Sequence, residues 1–275
     1  MMKASSGLEE NTPMILMRKE RRPGSGLISG NLSAGLKLGY RNFTKPHLSY
    51  RLGLLWVVLD PLLRAIVFSF LMIVIRGNTS PESLVIGVFT IYALNNSISS
   101  SMNLRLSAEP FPLSHTPSST MIVSKITSDI LNSIFLGLSS AIILILIVEM
   151  PIILVLVLPL SCIALSLIGS GVGLLLSPIV MIVKDISKII SYLLLLSFFL
   201  QCVLYPYSDT EGLHRVVLSW LPHTIFVEWA RSASSGNQYP FSIQHAFSTL
   251  FLWAIPMFYG FFRFNQYRWR STTWS

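Results

Sequence analysis

The sequence predicts an all-α membrane fold: six transmembrane helices, an amphipathic interfacial helix ahead of them, and a re-entrant outer hairpin between the fifth and sixth spans. Three observations lead there. Hydrophobic residues make up 52% of the 275 and charged residues only 12%, with a mean hydropathy of +0.63, whereas a soluble domain carries about 25% charged residues. The apolar residues are gathered into runs of ~20, the number of helical residues that crosses ~30 Å of hydrocarbon. Twenty Lys and Arg face twelve Asp and Glu, a formal net charge of +8, and these charges fall between the apolar runs, the pattern of a membrane surface and not of a nucleic-acid partner. The two cysteines, Cys162 and Cys202, each lie inside an apolar run, which leaves no disulfide framework and no Cys-based zinc site.

The elements follow in order. Residues 1–30 mix charge with Pro and Gly (Arg18, Lys19, Arg21, Arg22, Pro23, Gly24) and lack the apolar core of a secretory signal, so they read as a flexible cytoplasmic tail. Over 31–46, Leu32, Leu36, Tyr40 and Phe43 recur at helical spacing while Lys37, Arg41 and Lys45 run four apart on another face. That is an amphipathic helix lying in the interface plane, or a soluble packing helix, and Pro46 is expected to end either. Residues 47–264 form the six-helix transmembrane domain, with spans at about 54–75, 83–102, 120–148, 152–182, 189–205 and 245–262. The fourth exceeds one crossing but is short for two, so it reads as one long tilted or broken helix with Pro159 and Pro178 as kinks. Residues 265–275 make a second cytoplasmic tail.

Orientation comes from the positive charges. Counted alternately, Arg105, Lys184, Lys188, Arg263, Arg268 and Arg270 share a side with the basic N-terminal region, and the other side has only Arg76, Arg215 and Arg231. Both termini are therefore expected in the cytoplasm, the chain being multi-pass in the cytoplasmic (inner) membrane. In the outer loop between spans five and six, 213–221 and 224–233 are apolar stretches separated by Pro222 and too short to cross. They read as a hairpin dipping into the outer leaflet or lying on it, or as a compact soluble helical pair. Ser208 and Glu211 have capping-box spacing at its start, and Trp220, Trp229 and Tyr239 fit an interfacial aromatic belt.

No G-x-x-x-x-G-K-[ST], H-E-x-x-H or G-x-S-x-G occurs, so the chain itself offers no phosphate-binding or hydrolytic signature. The five histidines have no metal-ligand spacing. Charges inside spans are costly enough to count as functional candidates. Asp60 and Arg64, and again Lys125 and Asp129, are one helical turn apart, and read either as local pairs needed for insertion or as a hydrophilic gate. Glu228 and Arg231 in the outer hairpin stand three apart, as a local pair or as a contact for polar substrate. Gly169, Gly171 and Gly173 give a small-xxx-small match for close helix approach. The stretch from Asn95 to Asn103, rich in Ser and Asn, suits a protein-buried or water-facing surface better than lipid.

The run Arg51-Leu52-Gly53-Leu54-Leu55-Trp56-Val57-Val58-Leu59-Asp60-Pro61 resembles the R-x-G-x-L-W-x-x-L-x-P opening of ABC-2 type permeases, most closely those exporting capsular polysaccharide, O-antigen or teichoic acid. Leu204-Tyr205-Pro206, then Trp220-Leu221-Pro222-His223-Thr224 and Glu228-Trp229-Ala230-Arg231, are similar to that family's Y/F-P … N-P-L-x-H-x-x-E-x-x-R outer segment, which places His223, Glu228 and Arg231 in it. Here Leu221-Pro222-His223 stands where the family has Asn-Pro-Leu. The resemblance implies a non-catalytic half-transporter. Two copies would form a channel for a lipid-linked polysaccharide, and a separate ABC ATP-binding subunit would carry the ATP and Mg, with no cofactor bound by this chain. It points to the segments 104–118 and 184–188 for docking, with Arg105, Glu109, Lys184, Asp185 and Lys188. Aromatic rings stack on sugar faces, which makes Trp56, Tyr92, Tyr192, Tyr205 and Tyr207 candidate lining of a glycan path. An ABC-2 exporter of small lipophilic molecules is the alternative. An intramembrane enzyme acting on polyprenyl-linked sugars fits less well, because each acidic residue in a span has a basic neighbour at helical spacing.

Overall fold

The computed structural model describes residues 25–48, 51–76, 81–104 and 118–271. Among them are nine α-helices and no strand: α1 (Ser25–Leu48), α2 (Trp56–Arg76), α3 (Pro81–Met102), α4 (Ser118–Val148), α5 (Leu154–Ile182), α6 (Asp185–Leu200), α7 (Gly212–Ser219), α8 (Pro222–Ser235) and α9 (Ile243–Ser271). Three segments, Ser119–Leu146, Leu154–Ile182 and Ile243–Phe264, are helices long and apolar enough to cross a membrane. Large apolar side chains turn outward from the bundle: Leu146 is 77% exposed, and Phe251 and Phe258 do the same on α9. In water that surface would be a liability; against lipid tails it costs nothing, so it is the surface of a membrane protein.

α5 is the hub, packed between α3, α4 and α9. Lipid tails are as apolar as leucine, so helices here are held by close packing and polar contacts and not by exclusion of water. The Gly169-Ser170-Gly171-Val172-Gly173 stretch of α5 provides both. A Cβ on Gly169 would stand 2.7 Å from the Leu94 carbonyl oxygen, and one on Gly173 2.5 Å from that of Ile98, both on α3. Gly171, half a turn away, faces α9, where a Cβ would come 2.5 Å from the Met257 Cα. The alternating glycines thus admit one neighbour on each side. Ser97 and Ser101 of α3, both buried, are small enough to let α3 approach, so that face of its polar end is covered by protein while Ser100 is exposed. On the opposite contact, Gly260 of α9 sits directly against the Gly171 carbonyl oxygen. Gly260→Ala would place its Cβ inside that atom's envelope and drive the helices apart. We expect a loss of about 1–3 kcal/mol, read as a lower melting temperature of the purified chain in detergent.

Proline does less to these helices than the sequence implies. Pro159 and Pro178 lie inside an uninterrupted α5, and Pro159 meets α4 at Gly137, whose missing side chain makes room for it. Pro46 does not end α1, which runs two residues further and begins six before the expected start, because a proline weakens the turn before it without forbidding helical dihedrals after it. α1 packs on α4 through Gly35 and Gly39, set against Val123, Ser124 and Thr127, while Leu32, Leu36 and Tyr40 are exposed. Its glycine edge is therefore the packed one, and its apolar stripe is left uncovered.

Two other boundaries differ from expectation. The helix expected over 189–205 runs from Asp185 to Leu200, ~24 Å at 1.5 Å per residue. It stops because the carbonyls of Val203 and Tyr205 turn away from helical partners to accept from Arg231. The last helix passes through 265–271, residues read from the sequence as tail. Only Phe198 of α6 is buried. Side-chain bonds pin this loosely packed helix to α3: Asn95 donates to the Leu194 carbonyl at 3.1 Å, and Ser187 to Asn103 at 3.0 Å.

Candidate functional site

Because the long helices alternate in direction, the start of α3, the α4–α5 turn, residues 201–211 and the α7–α8 pair meet at one end of the bundle, the cap end. Arg231 of α8 organises it. Its Nη1 donates to Glu228 Oε1 at 2.8 Å and to the Tyr205 carbonyl at 3.2 Å; Nη2 donates to the carbonyls of Val203 (3.0 Å) and Ser83 (3.1 Å); Nε donates to Ser83 at 3.3 Å. All five guanidinium N–H groups are thereby used. Glu228 Oε1 also accepts from the Tyr207 backbone N–H at 3.1 Å. Arg231 and Glu228 are each 7% exposed, so the pair is buried, and it ties together three segments that no secondary structure joins.

Around this clamp lies a cleft of about 400 Å³. It is lined by Glu82 and Ser83 at the start of α3, by Met150 and Pro206, and by the end of α8 with its following loop. That loop begins at Gly236, which closes α8 in the left-handed conformation (φ 70°) with its N–H on the Ser232 carbonyl, a conformation that glycine adopts without penalty. The hydroxyls of Ser232, Ser234 and Ser235 donate back to α8 carbonyls.

α7 shows how the cap meets its surroundings. Leu213, Val216, Val217 and Trp220 are exposed along one stripe while Leu218 is buried; a soluble helical pair would turn such a stripe inward. The proposed Ser208–Glu211 capping box does not form: α7 starts at Gly212, and Ser208 sits in a separate turn, donating to Asp209 at 3.0 Å. His223 is fully buried, with Nε2 3.1 Å from Thr90 Oγ1. The Thr90 hydroxyl donates to Ile86, so His223 is the donor. Burial first, and the Arg231 charge second, push its pKa down to about 3, which leaves a neutral ring joining α8 to α3.

A second polar centre lies among α4 and α5. Lys125 pairs with Asp129 one turn on, and Asp129 Oδ2 accepts from Ser170, between the glycines of α5. Both charged residues are buried (7% and 4% exposed). Asn42 of α1 donates to Ser124, next to Lys125, at 3.0 Å.

The remaining candidates are dispersed. Asp60 and Arg64 do not form an ion pair: Arg64 instead lies over the Tyr92 ring, 5.4 Å from its centroid, where an aromatic face holds a partly exposed guanidinium without a carboxylate. Trp56 is half-buried at the start of α2. Tyr192 is 73% exposed on α6. Tyr205 donates to the Leu200 carbonyl at 2.7 Å. Tyr207 is buried, with Phe241 on its ring at 4.6 Å and Arg215 at 5.1 Å, so it has no free face for a sugar. Lys184, Asp185 and Lys188 are exposed at the end opposite the cap. Arg105 and Glu109 lie outside the described residues, as do 1–24 of the tail.

Sequence reasoning missed Ser83, Val203 and Tyr205 as partners of Arg231, Ser170 as partner of Asp129, and Glu82 with the Ser232–Gln238 stretch as lining of the cleft. Backbone acceptors carry no residue signature. The Ser-Ala-Ser-Ser-Gly-Asn-Gln run from 232 to 238 is a legible polar segment that held no recognised motif. Set against protein families, residues 38–239, well over half the chain, match the family described as ABC-2 type transporter. No curated protein matches the chain.

Proposed function

The chain belongs to the ABC-2 type transporter family, and from that premise we propose that it is the permease subunit of an exporter for a lipid-linked polysaccharide. In this reading it crosses the cytoplasmic membrane six times with both termini inside, works as a homodimer, and is driven by a separate ATP-binding subunit. The cap end faces outward. α7 lays its Leu213–Trp220 stripe into the outer leaflet, and α1 does the same at the inner leaflet with Leu32, Leu36 and Tyr40. Lys184, Asp185 and Lys188 meet the ATP-binding subunit, together with Arg105 and Glu109.

The chemistry of the cap cleft carries the substrate reading. Its lining sets carboxylate, hydroxyl and amide groups beside the apolar surface of Met150, Pro206 and Pro240. Such a mouth suits a sugar chain, whose hydroxyls can bond the polar groups while the C–H faces of its rings lie on the apolar ones. Two copies with their ATP-binding subunit in liposomes test it. A polyprenyl-linked glycan should stimulate ATP hydrolysis several-fold where lipophilic dyes do not, and the chain alone should hydrolyse none. Stimulation by the dyes and not by the glycan would replace the polysaccharide by a small lipophilic cargo.

A further inference from the structure

We propose that the cap cleft is a binding site for a single neutral or amino-bearing sugar residue and rejects acidic sugars. The inference rests on the proposed function only for the choice of a sugar as the donor-rich ligand. Its basis is an imbalance of charge between two carboxylates and a guanidinium whose donors are all committed. Arg231 has no N–H left for a ligand, since Glu228, Ser83, Val203 and Tyr205 take all five. Glu228 spends only Oε1 on its partners, leaving Oε2 open among the described residues. Ser232, Ser234 and Ser235 have committed their hydroxyl protons to α8 carbonyls, so they face a ligand as acceptors. Glu82, at the start of α3, adds a second carboxylate to the lining. The exposed amides of Asn237 and Gln238 still offer donors, but the cleft presents two carboxylates and no unspent cation.

A ligand that fits must bring donors and no negative charge. Sugar hydroxyls and ammonium groups do so, and charge-assisted bonds to carboxylates are the stronger kind. A uronic acid would instead set its carboxylate near Glu82 and Glu228. The volume of about 400 Å³ lies at the small-ligand end of binding sites, the scale of a single sugar residue. Met150 and Pro206 in the lining offer apolar surface for the C–H face of a ring.

The test uses the full chain in nanodiscs and three soluble trisaccharides, of glucosamine, N-acetylglucosamine and galacturonic acid, with binding read by calorimetry. Affinity should fall in that order, and Glu82→Gln should weaken the glucosamine trisaccharide about tenfold while affecting the N-acetylated one less. Glu82 sits in the first turn of α3, so Asn237→Ala, on the exposed loop, is a second variant that spares the fold and should weaken both ligands. Absence of binding by the first two sugars, equal binding of the galacturonate, or indifference to both substitutions overturns the proposal. The substrate reading is scored separately by the glycan-stimulated ATP hydrolysis: export of glycan without trisaccharide binding removes only the cleft, and trisaccharide binding by a chain that exports something else keeps it.

Discussion

Arg231→Ala is expected to cost the fold about 3–5 kcal/mol, the scale for stripping one partner from a buried ion pair. The loss is large because the guanidinium does four things at once. Without it, Glu228 is left buried with a single backbone donor, and the carbonyls of Ser83, Val203 and Tyr205 lose the donor they share. The break after α6 then has nothing to hold it, so the cap should separate from α3. Arg231→Lys keeps the charge but brings three donors to positions set out for a five-donor fork, and it should recover only part of the loss. Thermal unfolding followed by tryptophan fluorescence, with Trp220 and Trp229 in the cap, reads both variants. An alanine variant as stable as the parent would show that the clamp is dispensable.

Asp129→Ala is the second large effect, again about 3–5 kcal/mol, since it leaves Lys125 charged and buried. The informative comparison is the double variant Lys125→Met with Asp129→Leu. Replacing a buried pair by apolar groups of similar size is often neutral or stabilising. Ser170 also has the Ser166 carbonyl at 2.7 Å to fall back on, so no orphaned polar group follows. The double variant should regain the melting temperature. If it also exports normally, the pair serves insertion and helix register alone. If it folds yet fails to export, the charges act in the transport cycle, as the gate reading of the sequence holds.

These two centres show what a sequence discloses and what it withholds. Both ion pairs were legible because their partners are three or four residues apart on one helix, where periodicity alone brings them together. Their third partners were not: Ser170 is distant in sequence from Asp129, and the Arg231 acceptors are backbone atoms of segments with no marked composition. Asp60 and Arg64 obeyed the same spacing rule without pairing, because Tyr92 on the next helix offered Arg64 an alternative. Glycine gave the right signal for close approach at Gly169–Gly173, but the division of that run between two neighbouring helices followed only from packing. Helix ends were the weakest point. The expected span to residue 205 failed because tertiary hydrogen bonds claimed its last carbonyls, which the hydrophobic run could not reveal.

Movement of glycan to the outside is the role proposed for this chain. The direct measurement is cell-surface glycan in the native organism after depletion of this chain, with the polyprenyl-linked glycan on the cytoplasmic face measured in parallel. Depletion should remove the surface polymer and accumulate the lipid-linked form inside, and the wild-type chain should restore export where Arg231→Ala does not. Unchanged surface glycan with no internal accumulation would contradict it.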